Sequence, residues 1–202
     1  IAQGAFDEAG IEQLAARLGV GGRHLRRLFD RYVGASPVSV AQAHRVLFAK
    51  QLITETSLGM AEIALASGFG SVRRFNDAFA NMYARPPSAL RRARASAQPS
   101  PDLSLRMAFS PPYDFAGMLE FLRLRAIPGV ESVEPGCYRR TFALGRAQGE
   151  VAVREVRGAN YLLAQIASSD VGALSAIVAR LRQLFDLDAD IAAIDAHLAL
   201  DP

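Results

Sequence analysis

Ile11-Glu-Gln-Leu-Ala-Ala-Arg-Leu-Gly-Val-Gly-Gly-Arg-His-Leu-Arg-Arg-Leu-Phe29 is written a second time, with substitutions, as Met60-Ala-Glu-Ile-Ala-Leu-Ala-Ser-Gly-Phe-Gly-Ser-Val-Arg-Arg-Phe-Asn-Asp-Ala-Phe79. In each copy a short run with helical apolar spacing ends at a glycine, Gly19 or Gly68. An apolar residue follows, and a second helix opens that carries neighbouring arginines. That order is the helix-turn-helix pattern, whose second helix enters the major groove of DNA. A single match is weak, since two short amphipathic helices around a glycine are common. Two aligned matches within about 80 residues leave little room for chance.

Helical spacing sorts the second helix of each copy into two faces. Leu25, Leu28 and Phe29 fall together and are expected to pack on Leu14 and Leu18, which leaves Arg23, Arg26 and Arg27 outward. In the second copy Phe75, Ala78 and Phe79 form the inner face, and Val72, Arg73, Arg74 and Asn76 the outer one. A guanidinium has five donors and no acceptor, which suits the acceptor-rich edge of guanine and the phosphates beside it. Asn76 has the group to read adenine bidentately, and Val72 to touch a thymine methyl. The offset between copies changes from 49 at Gly19 and Gly68 to 50 at Phe29 and Phe79, so one extra residue is expected to open the second recognition helix. The bland alternative is a pair of ordinary helical hairpins with solvated arginine faces. Two copies with outward arginines in both favour DNA.

Between the copies, Gly34-Ala-Ser-Pro37 ends one helix and starts another, because serine then proline matches N-cap then N1. In that long connecting helix Val40, Ala43, Val46, Leu47 and Leu52 are expected inward and His44, Arg45 and Lys50 outward.

The chain of 202 residues is 50% hydrophobic, enough for two modest cores. Its net charge of +3 hides an asymmetry: residues 1–101 carry 13 Lys and Arg against 7 Asp and Glu, and residues 102–202 carry 10 against 13. Only the first half has the footprint of a polyanion partner. No apolar run reaches the roughly 18 residues of a membrane span, and no basic leader with a cleavage site opens the chain, so a cytoplasmic protein without membrane contact is expected. One cysteine, Cys137, excludes an internal disulfide framework and a cysteine-rich zinc site. Asp186, Asp188 and Asp190 imitate the start of a calcium loop, but Ile191 and His197 occupy its glycine and final glutamate positions, so helix capping explains them better. His24, His44 and His197 share no ligand spacing. No metal, no cofactor and no catalytic residue is assigned.

Ala95-Ser-Ala-Gln-Pro-Ser-Pro101 breaks every periodicity and reads as a linker. It separates an all-α domain over 1–94 from an α+β domain over 102–187, and 188–202 begin another helical pattern. The second domain opens on a strand, Leu103 to Phe109, and a helix from Asp114 to about Ala126. Alternating runs Tyr138 to Leu144, Val151 to Val156 and Tyr161 to Ala167 follow, with turns at Gly145 to Gly149 and near Gly158. They predict one antiparallel sheet, backed by a second amphipathic helix through Leu174, Ile177, Val178, Leu181 and Phe185.

Residues 11–92 resemble the AraC-type regulators. Arg23-His-Leu-Arg-Arg-Leu-Phe29, Gly34-Ala-Ser-Pro37, Ile63-Ala64, Ser67-Gly68-Phe69, Phe75, Phe79 and Pro87 stand where that pattern puts them. The resemblance implies two recognition helices held by one linker helix over successive major grooves, with Arg23, Arg26, Arg27, Val72, Arg73, Arg74 and Asn76 as base-reading positions. It also implies a chain monomeric on duplex DNA, and makes RNA polymerase a candidate partner. Gly22 departs from the usual serine or threonine N-cap, and Val40 from a frequent aromatic.

Pro111-Pro-Tyr-Asp-Phe-Ala-Gly-Met-Leu-Glu-Phe-Leu-Arg-Leu-Arg-Ala-Ile-Pro-Gly-Val-Glu131, Cys137 to Gly145 and Leu184-Phe-Asp-Leu-Asp188 resemble the amino-terminal domain of AlkA-type DNA-3-methyladenine glycosylases. There the chemistry belongs to a following helical domain, so 102–202 are expected to cut no glycosidic bond themselves. Phe121 lies off the stripe of Phe115, Met118, Leu119 and Leu122, and is a candidate lining residue for a base pocket shared with that domain. The pairing of modules resembles the Ada-like alkylation-response proteins, and implies an excerpt lacking a methyl-acceptor and a glycosylase domain. The expectation is a sequence-specific regulator of the alkylation response. Two alternatives stay open: a regulator whose second domain binds a small effector, and an enzyme that uses the paired motifs for delivery to damaged DNA.

Overall fold

Among the described residues, six helices follow one another through the first half of the chain. In a computed structural model describing residues 8–92 and 103–200, these are α1 (Glu8–Arg17), α2 (Gly22–Val33), α3 (Pro37–Glu55), α4 (Met60–Ala66), α5 (Val72–Tyr83) and α6 (Pro87–Arg92). The linker expected at 95–101 lies outside the described residues. The chain divides into two units, the helices in one and a sheet with its helices in the other.

Each motif closes on a glycine in the left-handed region, Gly19 at φ 68° and Gly68 at φ 76°, a conformation that an L side chain resists. The next residue's amide bonds back across the turn: Val20 N donates to Ala15 O and Phe69 N to Ala64 O, both at 2.9 Å. The first core is small: Ile11, Ala15, Leu25 and Ala41, flanked by Leu14, Val20 and Phe29. Leu18 is not in it. At 58% exposure it faces away, and its repeat counterpart Ser67 is the buried one. The second core is built on aromatics. Phe69, Phe75, Phe79 and Tyr83 pack in series, tilted or edge-on, with ring centroids 5.5, 5.9 and 4.8 Å apart.

Helix α3 serves both cores. Ser36 accepts from Ser39 N at 3.1 Å as its N-cap, with Pro37 at N1. Its buried residues are Pro37, Ala41, Val46, Ala49, Leu52 and Ile53. Leu47, expected inward, is 51% exposed, and Val40 and Ala43 are half-buried. The stripe runs along 46, 49, 52 and 53, and 47 falls beside it.

The second unit is a five-stranded antiparallel sheet of β1 (Leu103–Ala108), β2 (Glu131–Glu134), β3 (Cys137–Leu144), β4 (Ala147–Glu155) and β5 (Tyr161–Ser168), in the order β1-β5-β4-β3-β2. Strands β2 to β5 form the meander, and β1 joins the free edge of β5. Leu105, Ala164, Val153 and Tyr138 stand in register across four strands, and all are fully buried. Onto that face pack α7 (Phe115–Arg123), through Phe115, Leu119 and Leu122, and α8 (Leu174–Leu184), through Ile177 and Leu181. Phe185, just past α8, ties them together, 5.9 Å from Phe115 and 5.6 Å from Tyr138. Asp190 caps α9 (Ile191–Leu198) by accepting from Ala193 N at 3.0 Å.

One strand lies outside the expectations, and two expectations need correcting. Strand β2 has no alternating apolar signal; its sequence is Glu-Ser-Val-Glu, and it forms because β3 offers it an edge. The turn expected at Gly145 to Gly149 shrinks to two residues, since Leu144 already pairs with Ala147. Gly149 is a strand residue, where a Cβ would lie 1.9 Å from the carbonyl oxygen of Ala167. It marks a close approach of β5 rather than a bend. Helix α7 stops at Arg123, short of Ala126.

Candidate nucleic-acid interface

Helices α2 and α5 are twelve residues each, and their residue numbers correspond at an offset of 50. The extra residue of the second copy therefore lies in the turn, as Gly70 ahead of the N-cap Ser71, and not in the helix. Ser71 accepts from Arg74 N at 3.2 Å, whereas Gly21, the N-cap of α2, has no side chain to do so. The glycine departure at Gly22 thus falls on N1.

All seven expected residues lie on outward faces, opposite buried Leu25 in α2 and buried Phe75, Ala78 and Phe79 in α5. Their surroundings differ. Arg73 is 92% exposed, with Asp77 at 4.0 Å one turn on. Arg74, Val72 and Asn76 are open beside it. In α2, Arg23 is open, Arg27 Nη2 donates to Nδ1 of His24 at 3.1 Å, and Arg26 Nη2 donates to Glu12 Oε1 of α1 at 3.0 Å. Glu12 and His24 are the neighbours that the sequence reading passed over. Ala61 and Arg74 stand at the equivalent positions of the second copy.

The connecting helix also touches the second motif. A Cβ on Gly68 would lie 3.6 Å from Arg45 Nε, and the Lys50 ammonium sits over the Tyr83 ring at 5.0 Å. Both cations were expected mostly outward, and Lys50 is exposed. Arg45 is half-buried, so its stem packs on the turn.

In the second unit Phe121 is 50% exposed on α7, with the Arg125 guanidinium 3.9 Å from its ring centroid. Leu124 and Ile127 are exposed nearby in sequence. A cavity of about 890 Å³ opens between β3, β4 and α8, lined by Phe142, Leu144, Val151, Ile177, Leu181 and Leu184 among others. Cys137 is half-buried at the start of β3, and among the described residues no cluster of His, Cys, Asp or Glu fits a metal ion.

Residues 14–93 match the family described as a helix-turn-helix domain, and residues 104–202 match the AlkA N-terminal domain. The chain joins an AraC-type helix-turn-helix domain to an AlkA N-terminal domain. A probable bifunctional transcriptional activator/DNA repair enzyme AlkA of Mycobacterium tuberculosis is 38% identical over 208 residues, covering 100% of this chain and 41% of that protein. The chain therefore spans well under half the length of that relative. The HTH-type transcriptional regulator GlxA of Rhizobium meliloti is 35% identical over 91 residues, 45% of this chain and 27% of that protein. Among solved structures, an AraC-type transcriptional regulator from Chromobacterium violaceum is 33% identical over 44% of this chain and 79% of that chain, with a TM-score of 0.40. The AraC-type domain is a DNA-binding unit, and α2 and α5 are its second helices.

Proposed function

We propose that this chain is the DNA-reading part and companion domain of a transcriptional regulator of the alkylation-damage response, which in its full length also carries a DNA-3-methyladenine glycosylase. The observation that carries the proposal is the pair of equal helices, each with a buried apolar back and an open polar face rich in arginine. The likeness across the whole chain to a two-function activator and repair enzyme supplies the biological setting.

On this reading residues 1–94 lie on duplex DNA as a monomer, residues 95–101 link, and residues 102–187 form the companion domain. Arg23, Arg26 and Arg27 read one groove; Val72, Arg73, Arg74 and Asn76 read the next. Phosphate contacts supply much of the affinity, and arginine–guanine pairs discriminate. RNA polymerase is the downstream partner, and the cytoplasm the setting. On the same reading Phe121, exposed on α7, lines a base pocket shared with the domain that carries the chemistry.

The test is affinity for duplexes selected from a random pool against shuffled duplexes of the same composition. Regulation predicts a preference of about 10³-fold or more at physiological salt. Equal affinity would leave only the delivery of a repair enzyme. The cavity on the sheet gives a second reading, an effector-binding domain, a concrete place to act: a ligand that raises the melting temperature of the second unit and shifts promoter affinity would favour it.

A further inference from the structure

We infer that Glu12, on the first helix of the first motif, is a specificity-determining residue that acts by positioning Arg26. The inference rests on the regulator reading above. Glu12 Oε1 accepts from Arg26 Nη2 at 3.0 Å, and both side chains are about half exposed, at 59% and 46%. An exposed ion pair contributes little to stability, so folding alone gives weak reason for it.

Two further observations point at geometry instead. The Glu12 carboxylate lies against Gly22, the first residue of α2, so closely that a Cβ there would stand 2.2 Å from Oε1 and 2.4 Å from Oε2. A side chain at position 22 would make the carboxylate move from that seat. The seat is also the positive end of α2, where the N-cap Gly21 supplies no side-chain acceptor and a negative charge is favoured. The second motif has none of these parts. Ala61 stands for Glu12, Val72 for Gly22 and Asn76 for Arg26, while Ser71 supplies the capping oxygen by accepting from Arg74 N. Carboxylate, glycine seat and arginine occur as a set in one copy and are replaced as a set in the other.

A guanidinium held on one side by a carboxylate keeps its other donors aimed outward in a single plane, and its charge is partly cancelled toward the phosphates. Arg26 is thereby kept for a base edge and withheld from the backbone. Releasing it converts a base-reading arginine into a phosphate-binding one.

The experiment is a base-preference profile of the full chain, measured together with affinity for shuffled duplex across salt. E12A should flatten the preference at the base pair under Arg26 by about tenfold, leave preferences under α5 unchanged, and steepen the salt dependence by about one phosphate contact. G22A keeps the charge but evicts the carboxylate, and should reproduce the flattening. E12Q retains the hydrogen bond and should restore part of the preference. In an R26A background E12A should change nothing at that base pair. A selective wild type whose profile survives both E12A and G22A overturns the role of Glu12 and leaves the regulator reading standing. A wild type with no preference at all overturns both.

Discussion

Residues that sit at equivalent places in the two motifs differ in how well they suit the backbone. Both second helices end on a left-handed residue, but Gly34 takes that place after α2 at φ 70° and Ala84 takes it after α5 at φ 52°. Alanine there is strained by its Cβ against the carbonyl, so A84G should raise stability by about 1 kcal/mol, read from denaturant unfolding. The caps differ in the opposite sense. S71A should cost about 1 kcal/mol and weaken binding through α5 alone, as seen in the base-preference profile. In the second unit Glu131 is held by Ile127 N at 2.9 Å, Tyr138 Oη at 2.7 Å and Arg140 Nη1 at 3.2 Å. Burial pushes its carboxyl up, but these three partners together hold it below the usual carboxylate value; burial and the same bond push the Tyr138 hydroxyl up to about 12. A depressed pKa in the folded state contributes stability above the unfolded value near 4.5, lost as pH falls through the folded one. E131Q should therefore destabilise at pH 7 by about 1–3 kcal/mol and remove the corresponding part of the acid-side slope. An unchanged acid limb would mean that Glu131 is not held as described.

Elements were legible in the sequence wherever their own residues carry the pattern. The repeat, the N-cap at Ser36, the meander and the cap at Asp190 all follow from local chemistry. Strand β2 was not legible, because its four residues pair with β3 through backbone alone. Gly149 misled for a related reason: glycine signals both bends and close approaches, and only the neighbouring β5 carbonyl tells which. Substituting it separates the two, since G149A in a turn would be mild. Against the Ala167 oxygen it should cost several kcal/mol or pry β4 from β5, visible as lost amide protection along Val151, Val153 and Ala164. On the interface, the outward faces of α2 and α5 were readable from periodicity. The Glu12–Arg26 pair was not, since no spacing rule within one helix reaches across the turn.

At the scale of the molecule, a basic first half and an acidic second half fall for the most part in different units, and among the described residues the arginine-rich surface on paired helices lies in the first. The affinity for DNA should accordingly fall steeply with salt, and the fall should be set by arginines of the first unit. The central claim is that α2 and α5 read two separate stretches of sequence. The measurement that tests it most directly is the base-preference profile of the full chain beside that of R73A/N76A. Two blocks of preferred base pairs about one helical turn, roughly 10 base pairs, apart are predicted, with the double variant erasing one block and sparing the other. A single block, or a variant that weakens every position equally, would contradict it.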